Sequence, residues 1–582
     1  MSRLAKNPRK KHALPMIVLG LIISLILISS SLFFLLYPFP SNEKIEFFHT
    51  AHPIIFNGQI AGEALVTDEQ IYLPLDFIQK EIDPEVTFDE KSDSIIITTR
   101  NKVIQMPSES LTLFVNEEPV EVDFPALKSE DDTPYVSFQA IELYYPFQVS
   151  LLDGDRAILV RQDGETILTG KILSEKREAE LRIRTKPTLT SSYVRDLVAE
   201  EIVDIEAEEE GYYFVRANDG VAGYVKKNVV SLLDPQTVII NLDEPKRFSP
   251  PISWPINLTW EAVYSKNPDT NTLPNLQGVN VVSPTWFEVN NETGDITNLG
   301  SMEYMKWAKE KNLQVWGLFS NAFDPGLTHK VLKDYETRQK MIRQLLVYSE
   351  TYNLDGINID FENVNLEDGK LLTQFVREMT PYLHEAGLIV SLDITFISSS
   401  ENWSMFYERA KLADIVDYIM VMAYDEHWAT SPEAGSVASF PWVEKNLQKL
   451  LEVVPNDRLI LGLPTYTRIW KEQDTEGGNI EVSSKAYSMD YVKQWITEHD
   501  VNPIFDEVSG QMYGEYRDEK EKATYKVWIE DEDSLARRAQ FVHQYHLAGI
   551  ATWSRFFASD EAWKSMDDSL KHVKYSKSEN TE

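Results

Sequence analysis

The second half of this 582-residue chain repeats one pattern eight times, a short apolar run followed by a stretch with helical periodicity. Runs that are apolar on both faces suit parallel strands covered by helices. A helix such as the one predicted over 337–351 would separate neighbouring strands. The pattern predicts an α/β fold with a (β/α)8 TIM barrel between residues 236 and 575. The eight runs are INLTWEAVY, GVNVVSPTWF, LQVWGLF, GINIDFE, IVSLDIT, YIMVMAY, LILGLP and GIATWS.

The fourth run belongs to the segment DGINIDFE, from Asp355 to Glu362, and carries unusual polar side chains. Because successive side chains of a strand point to opposite faces, Asn358, Asp360 and Glu362 share one face. That face must point into the barrel and toward its carboxyl end, where barrel enzymes keep their active sites. Same-face neighbours are about 6.6 Å apart at Cα. Carboxyls this close raise one pKa of the pair, which predicts a general acid beside an anion. A salt-bridged or helix-capping strand end is the structural alternative.

DGINIDFE resembles the DG-x-D-x-D-x-E signature of glycoside hydrolase family 18, the chitinases and related N-acetylglucosaminidases. The resemblance covers the whole predicted barrel. It implies that Glu362 is the acid and base, that Asp360 orients the acetamido group of the substrate, and that this group attacks the anomeric carbon. Asp355, which opens the motif, is expected in the site. Asn358 stands where the family has an aspartate, so the coupling that resets Asp360 is expected to be reduced.

Later segments match the same family. VMAYDEHW resembles the sixth-strand motif M-x-Y-D, which implies that Met422 and Asp425 line the site and that Tyr424 donates a hydrogen bond to the acetamido oxygen. GIATWS implies that Trp553 forms the floor under the cleaved sugar. The third strand, VWGLFSN, lacks the S-x-G-G motif of typical chitinases, which favours the spore-coat and wall-lytic branch. LGLPTYTRIW resembles the seventh-strand segment G-x-P-x-Y-x-R, which implies that Tyr466 and Arg468 lie at the rim. Two weaker candidates, for which core packing and exposure are both open, are Trp286 and His427.

Two β-rich segments precede the barrel. Residues 43–165, with IIFNGQ, IYLPLDFIQKEI and VTFDEKSDSIIITT, resemble the copper amine oxidase N-terminal-like domain and are interpreted as a spacer or wall-contact module. This segment has no cluster of metal ligands, so the resemblance implies no copper. Residues 170–235 resemble a bacterial Src-homology-3-like domain, with Tyr212, Tyr213 and Tyr224 at its aromatic positions. Packing of a small barrel and binding of a wall peptide are both open for these tyrosines.

Residues 14–37 form a run of 24 residues without a charge. A span of about 20 apolar residues crosses the hydrocarbon core of a membrane. The run predicts a transmembrane anchor; a cleaved signal peptide is the alternative. Because the preceding residues 1–13 are basic, they are predicted to be cytoplasmic, with everything after the anchor outside. Residues 576–582 are predicted to be a C-terminal tail.

Charge and composition narrow the function further. The chain carries a net charge of -36 and has no cysteine. So acidic a chain would be repelled by nucleic acid, and a thiol nucleophile is impossible. No phosphate-binding glycine loop or zinc-type histidine spacing is present, so no cofactor or metal is expected. The sequence therefore predicts a membrane-anchored hydrolase on the cell-wall side. Its predicted targets are β-1,4 bonds beside N-acetylglucosamine in peptidoglycan or chitin oligomers, and a catalytically silent, lectin-like wall protein is the alternative.

Overall fold

A computed structural model describes residues 13–36, 39–67, 70–154, 156–242, 248–475 and 479–571. Most of the predicted cytoplasmic tail and all of the predicted tail 576–582 lie outside these residues. The chain has two compact units. The first contains Met1–Pro84, Ser108–Leu111 and Val122–Glu244, and the second contains Glu85–Pro107, Thr112–Glu121 and Pro245–Glu582. The domain limits given above stay a prediction.

The N-terminal helix Ala13–Leu36 contains the apolar run. Its central window, Met16–Phe33, is not buried against any other part of the described chain. At about 1.5 Å per residue the helix is roughly 36 Å long, more than the hydrocarbon core of a membrane. The helix is therefore long and apolar enough to cross a membrane, and a signal sequence has the same features.

The rest of the first unit consists of three β-sheets. One has the strand order Phe147–Leu151, Ile158–Gln162, Pro53–Phe56 and Gln59–Glu63, and another Leu127–Glu130, Thr133–Ser137, Gln70–Pro74 and Leu65–Thr67. The third has the order Tyr193–Asp196, Arg182–Arg184, Ala222–Lys226, Tyr212–Arg216, Ile202–Glu209, Thr166–Ile172 and Val230–Leu232, with Gln236–Thr237 also paired to Thr166–Ile172. In the third sheet Tyr212 is buried, whereas Tyr213 and Tyr224 are partly exposed. The Src-homology-3-like assignment of this segment stays a prediction.

The second unit contains the predicted barrel. Its eight parallel strands, called strands one to eight here, are Ile256–Glu261, Val281–Val289, Gln314–Ser320, Gly356–Asp360, Ile389–Thr395, Tyr418–Met422, Leu459–Pro464 and Gly549–Trp553. Strand one pairs with strand two and with strand eight, so the sheet closes on itself. Ile296–Asn298 adds an antiparallel hairpin to strand two. The (β/α)8 fold predicted from the eight apolar runs is confirmed.

Helices follow most of the strands and cover the barrel. They are Met302–Glu310, Pro325–Lys333, Tyr335–Tyr352, Gly369–Glu385, Arg409–Ile415, Phe440–Leu450, Glu532–Ala539, Phe541–Gln544 and Asp560–Lys571. The outward residues of the strands pack against these helices; Phe361, for example, lies 5.9 Å from Phe375, ring centre to ring centre. A second apolar cluster, which includes Leu258, Trp316 and Met420, fills the barrel interior. The interior of the barrel is therefore a packed core. An active site is expected at the rim formed by the carboxyl ends of the strands.

A five-stranded antiparallel sheet from the N-terminal half packs on the helices of the barrel. Its strands are Thr87–Asp89, Ser94–Thr98, Val103–Pro107, Thr112–Val115 and Glu118–Glu121. Arg377 donates to the carbonyl of Thr98 at 2.9 Å, and the amide of Tyr335 donates to Asp89 at 3.1 Å. Ile96 and Val103 belong to the same apolar layer as the barrel helices. Part of the predicted spacer is thus built into the unit that holds the barrel.

A second five-stranded sheet interrupts the barrel between strands seven and eight. It consists of Tyr466–Asp474, Ile480–Ser488, Ile504–Asp506, Gln511–Asp518 and Ala523–Ile529, with the helix Met489–Glu498. The sequence analysis did not predict this insertion. It begins two residues after strand seven ends, so its first strand carries Tyr466 and Arg468 past the rim of the barrel.

Candidate active site

Strand four presents a polar face to the barrel interior and an apolar face to the helices. Asn358 is fully buried and Asp360 is 8% exposed, while Ile357 and Ile359 pack in the layer between strands and helices. Glu362 lies just past the strand end and is partly exposed. Among the described residues, Oδ1 of Asp360 is buried without a hydrogen-bond partner. A buried carboxyl oxygen without a hydrogen bond costs folding free energy. Oδ1 of Asp360 is therefore free to accept a hydrogen bond from a ligand.

The backbone of Glu362 is fixed by Asn321, which follows strand three. The Asn321 side chain accepts a hydrogen bond from the Glu362 amide at 3.1 Å and donates one to the Glu362 carbonyl at 2.8 Å. Asn321 is itself held by Thr328, to which it donates at 2.8 Å. This clamp places the glutamate without using its carboxyl group. Sequence reasoning missed Asn321; its only signal was a polar residue directly after an apolar strand.

Asn358 lies at the centre of a buried network. Its Oδ1 accepts hydrogen bonds from Nε1 of Trp260 at 2.8 Å and from Oγ of Ser283 at 3.0 Å. Its Nδ2 donates to Oδ1 of Asp393 on strand five at 2.8 Å. Asn358 therefore lies beneath the rim, and its side chain forms hydrogen bonds with other residues of the protein. The structure also reveals Asp393, a buried carboxyl that the sequence analysis did not single out.

Burial shifts the acidity of three neighbouring carboxyls. It raises the pKa of Asp360 to about 7. Burial, followed by the charges of Asp360 and Asp425, raises the pKa of Glu362 well above its usual range. Burial and the charge of Asp360 likewise raise the pKa of Asp393 well above its usual range. Because like charges this close disfavour one another, the raised pKa of Glu362 is of the kind that a general acid needs.

The segments that follow strands six and seven bring more of the predicted residues together. The hydroxyl of Tyr466 donates to Asp425 at 2.7 Å, and Arg468 donates to the same carboxyl oxygen at 3.1 Å. The ring of Tyr424 lies 6.2 Å from that of Tyr466, centre to centre. Burial raises the pKa of Tyr424 well above its usual range, with smaller contributions from Tyr466 and the three carboxyls. Tyr424 is therefore a neutral hydrogen-bond donor beside the acids. Met422, the last residue of strand six, is partly exposed.

Trp553 lies at the carboxyl end of strand eight and is partly exposed. Its ring packs against that of Trp260, with centres 6.0 Å apart. Five further aromatic side chains are exposed on the loops that follow strands one, three, five, six and eight. They are Tyr264, Phe323, Trp403, Trp428 and Phe556. Exposed aromatic rings around a polar cleft are typical of a binding surface.

Two predicted site residues do not reach the rim. Asp355 precedes strand four at the opposite end of the barrel, where it accepts a hydrogen bond from the amide of Val315 at 2.9 Å. Trp286 is buried in the layer between strands and helices, and its indole donates to Asn267 at 2.7 Å. Strand two has an irregular register between Thr285 and Phe287, so the alternation of faces could not be read from the sequence. His427 is paired with the carbonyl of Ser436 at 2.8 Å.

The closed barrel, with a buried acidic cluster at its carboxyl rim, has the architecture of the (β/α)8 enzymes, whose active sites lie at that rim. Comparison with known protein families gives the family. The model of glycosyl hydrolases family 18 matches residues 260–558, more than half of the chain, and the chain belongs to that family of glycoside hydrolases. The model of the copper amine oxidase N-terminal domain matches residues 55–160. Both family resemblances are thus confirmed.

Individual proteins are similar to parts of this chain. The uncharacterized glycosylase YvbX of Bacillus subtilis (strain 168) is 28% identical over 291 residues, which are 48% of this chain and 81% of that protein. The cortical fragment-lytic enzyme of the same organism is 23% identical over 264 residues, 45% of this chain and 60% of that protein. The crystal structure of a chitinase from Chromobacterium violaceum ATCC 12472 covers 55% of this chain and 99% of its own, with 20% identity and a TM-score of 0.49.

Proposed function

We propose that this glycoside hydrolase is anchored in a membrane and cleaves β-1,4 bonds beside N-acetylglucosamine on the cell-wall side. The observation that carries the proposal is the position of Glu362. The residue is at the rim of the barrel and partly exposed, and burial, followed by the charges of Asp360 and Asp425, raises the pKa of its carboxyl. A carboxyl that is protonated and reachable can donate its proton to a leaving glycosidic oxygen.

In the proposed reaction Glu362 protonates the bridging oxygen while the bond from that oxygen to the anomeric carbon breaks. The acetamido oxygen of the same sugar forms the new bond to the anomeric carbon, which gives a cyclic oxazolinium ion. Asp360 accepts the acetamido N–H and Tyr424 donates to the acetamido oxygen, so both act on the charge that develops. Water then attacks the anomeric carbon and gives a proton to Glu362, while the bond from the acetamido oxygen to that carbon breaks. This step re-forms the acetamido group, restores the enzyme and gives a product of retained configuration.

Two features support a wall glycan as the substrate. The Bacillus subtilis relative is named a cortical fragment-lytic enzyme, and the rings of Trp403 and Trp428 are exposed on the loops that follow strands five and six. Flat apolar rings suit the faces of successive sugars in a linear glycan. Peptidoglycan is therefore the proposed substrate, and oligomers of chitin are the model compounds for it.

The test is hydrolysis by a protein that lacks only the N-terminal helix. It must retain residues 85–121, because the sheet in this segment packs on the barrel helices. We expect new reducing ends at N-acetylglucosamine when the protein is incubated with purified peptidoglycan or with an N-acetylglucosamine hexamer, measured by mass spectrometry after reduction. Tight binding of both glycans without any new reducing end would instead support a lectin-like protein.

The proposed topology gives a separate expected result. With the apolar helix Ala13–Leu36 in the membrane and the basic N-terminus inside, the barrel lies outside the cell. Protease added to intact protoplasts should therefore digest the barrel while a cytoplasmic marker protein survives. Protection of the barrel until the protoplasts are lysed would contradict this topology. Release of the barrel into the medium before protease is added would instead indicate a cleaved signal peptide.

A further inference from the structure

Strand five carries one charged side chain in an otherwise apolar run. The residue is Asp393, which is 2% exposed. The register of strands four and five pairs Asn358 with Ser391 and Ile359 with Leu392, so the next level pairs Asp360 with Asp393. Paired residues on adjacent strands lie on the same face of a sheet. The two aspartates therefore lie side by side on the face that lines the barrel interior.

The contacts of Asn358 show which neighbour can hold a proton. Its oxygen is used by two donors, Trp260 and Ser283, so its nitrogen is the atom that faces Asp393. This assignment of the amide follows from the hydrogen-bond network. Asn358 cannot take up or release a proton, but the carboxyl it contacts can. The carboxyl absent from position 358 is thus present one strand away.

Packing alone does not explain an aspartate at this place. Among the described residues Asp393 forms no ion pair, and the groups that donate hydrogen bonds to it, the amide of Asn358 and the indole of Trp260, are neutral. A buried carboxyl with so little compensation costs folding free energy. The rest of strand five, from Ile389 to Ile394, is filled by small or apolar residues that need no compensation. Buried carboxyls of this kind are found mainly at functional sites, so a functional role accounts for Asp393 better than packing does.

We infer that Asp393 is a positioning residue for Asp360: the two carboxyls hold one proton between them, so that Asp360 can be the anion that accepts the acetamido N–H. This inference rests on the proposed function. It gives strand five the part that the family signature assigns to the aspartate missing at position 358. No proton is lost or gained by the pair in this step, because the proton stays on Asp393 while Asp360 carries the charge.

The charges around the pair agree with this assignment. Burial and the charge of Asp360 raise the pKa of Asp393, and Glu362 adds to the same shift. Burial raises the pKa of Tyr424 and of Tyr407, and the charge of Asp393 adds to both shifts. No cation among the described residues forms an ion pair with Asp393. The three carboxyls therefore repel one another, and few of them can be ionised at the same time. In the inferred arrangement Asp360 is the one that is ionised.

The decisive variant exchanges the two side chains. Asp393→Asn should lower kcat by roughly 10²-fold, the lower end of what proton-holding groups contribute, with KM nearly unchanged. The double variant Asn358→Asp/Asp393→Asn keeps one carboxyl and one amide in the same pair and should recover most of the loss. Ser391→Ala, whose buried hydroxyl has no hydrogen-bond partner among the described residues, is the matched control and should leave kcat unchanged.

The pH profile separates positioning from packing. At high pH the wild-type Asp393 gives up the shared proton, and its charge then repels the carboxylate form of Glu362. Asp393→Asn lacks that charge, so Glu362 should lose its proton at lower pH and the alkaline limb of kcat should move to lower pH. The exchanged double variant should move the limb back. A fall in activity with an unmoved limb and no recovery in the double variant would overturn the inference and leave Asp393 a structural residue.

Thermal melts test Asp393 without any assay of turnover. Because its pKa is raised in the folded state, the folded chain holds a proton that the unfolded chain has lost, and stability falls as pH rises. The melting temperature of Asp393→Asn should therefore rise relative to that of the wild type as the pH increases above about 4, the ordinary pKa of an aspartate. A difference that stays constant with pH would overturn the inference. A wild type that hydrolyses no glycan would overturn the proposed function, and the melts would still report on Asp393.

Discussion

Glu362→Gln should abolish hydrolysis while the barrel stays folded. Glutamine keeps the shape of the side chain but cannot protonate the leaving oxygen. General acid catalysis contributes about 10²- to 10⁴-fold to a rate, so turnover of a chromogenic N-acetylglucosamine oligomer should fall by that much. The backbone of residue 362 should not move, because Asn321 holds it through the main-chain amide and carbonyl.

The stability of Glu362→Gln has a predictable pH dependence. Burial and the charges of Asp360 and Asp425 raise the pKa of Glu362 in the folded state. The wild type therefore loses stability as pH rises above the pKa of the unfolded chain, and the variant lacks this loss. At neutral pH the variant should melt at the same temperature as the wild type or higher. Glu367→Gln, at an exposed position nearby, is the matched control and should keep full activity. A folded Glu362→Gln protein with most of its turnover would show that another group donates the proton.

Asp360→Asn should cause the second large loss, and it should fall on turnover rather than on binding. The carboxyl acts on the charge that develops in the acetamido group, so its removal weakens the transition state more than the bound substrate. A decrease in kcat of about 10²- to 10³-fold is typical for loss of one such interaction. Tyr424→Phe should shift kcat in the same direction by a smaller amount. Isothermal titration with an uncleaved oligomer should give near-wild-type affinity for both variants. A parallel loss of affinity and turnover would mean that these residues only hold the substrate.

The sequence was most informative where side-chain periodicity and chemistry coincide. Eight apolar runs required parallel strands, and the strand containing Asn358 and Asp360 could bury both only in the barrel interior. Tyr424, Asp425 and Trp553 were found through short motifs that resemble those of family 18. These are local features, so one chain was enough to predict them.

The parts that sequence reasoning missed depend on contacts between distant segments. The role of Asp393 depends on the strand register that pairs it with Asp360. The role of Asn321 depends on the turn that brings its side chain to the backbone of Glu362. The sequence leaves the place of Trp286 open between rim and core, because the irregular register of strand two is not visible in it. The inserted sheet after strand seven was not predicted, because its strands fall between two barrel runs and pair with one another and not with the barrel. Pairing between strands, unlike alternation along one strand, is a long-range property.

The central claim is that the acetamido group of the substrate does the work of a nucleophile, with Glu362 as its acid. The most direct measurement compares two oligomers of the same length and linkage, one fully N-acetylated and one de-N-acetylated, under identical conditions. The account predicts rapid cleavage of the N-acetylated oligomer, with the β-anomer appearing first by NMR, and no cleavage of the other. Cleavage of both oligomers at similar rates, or an α-anomer as the first product, would contradict it.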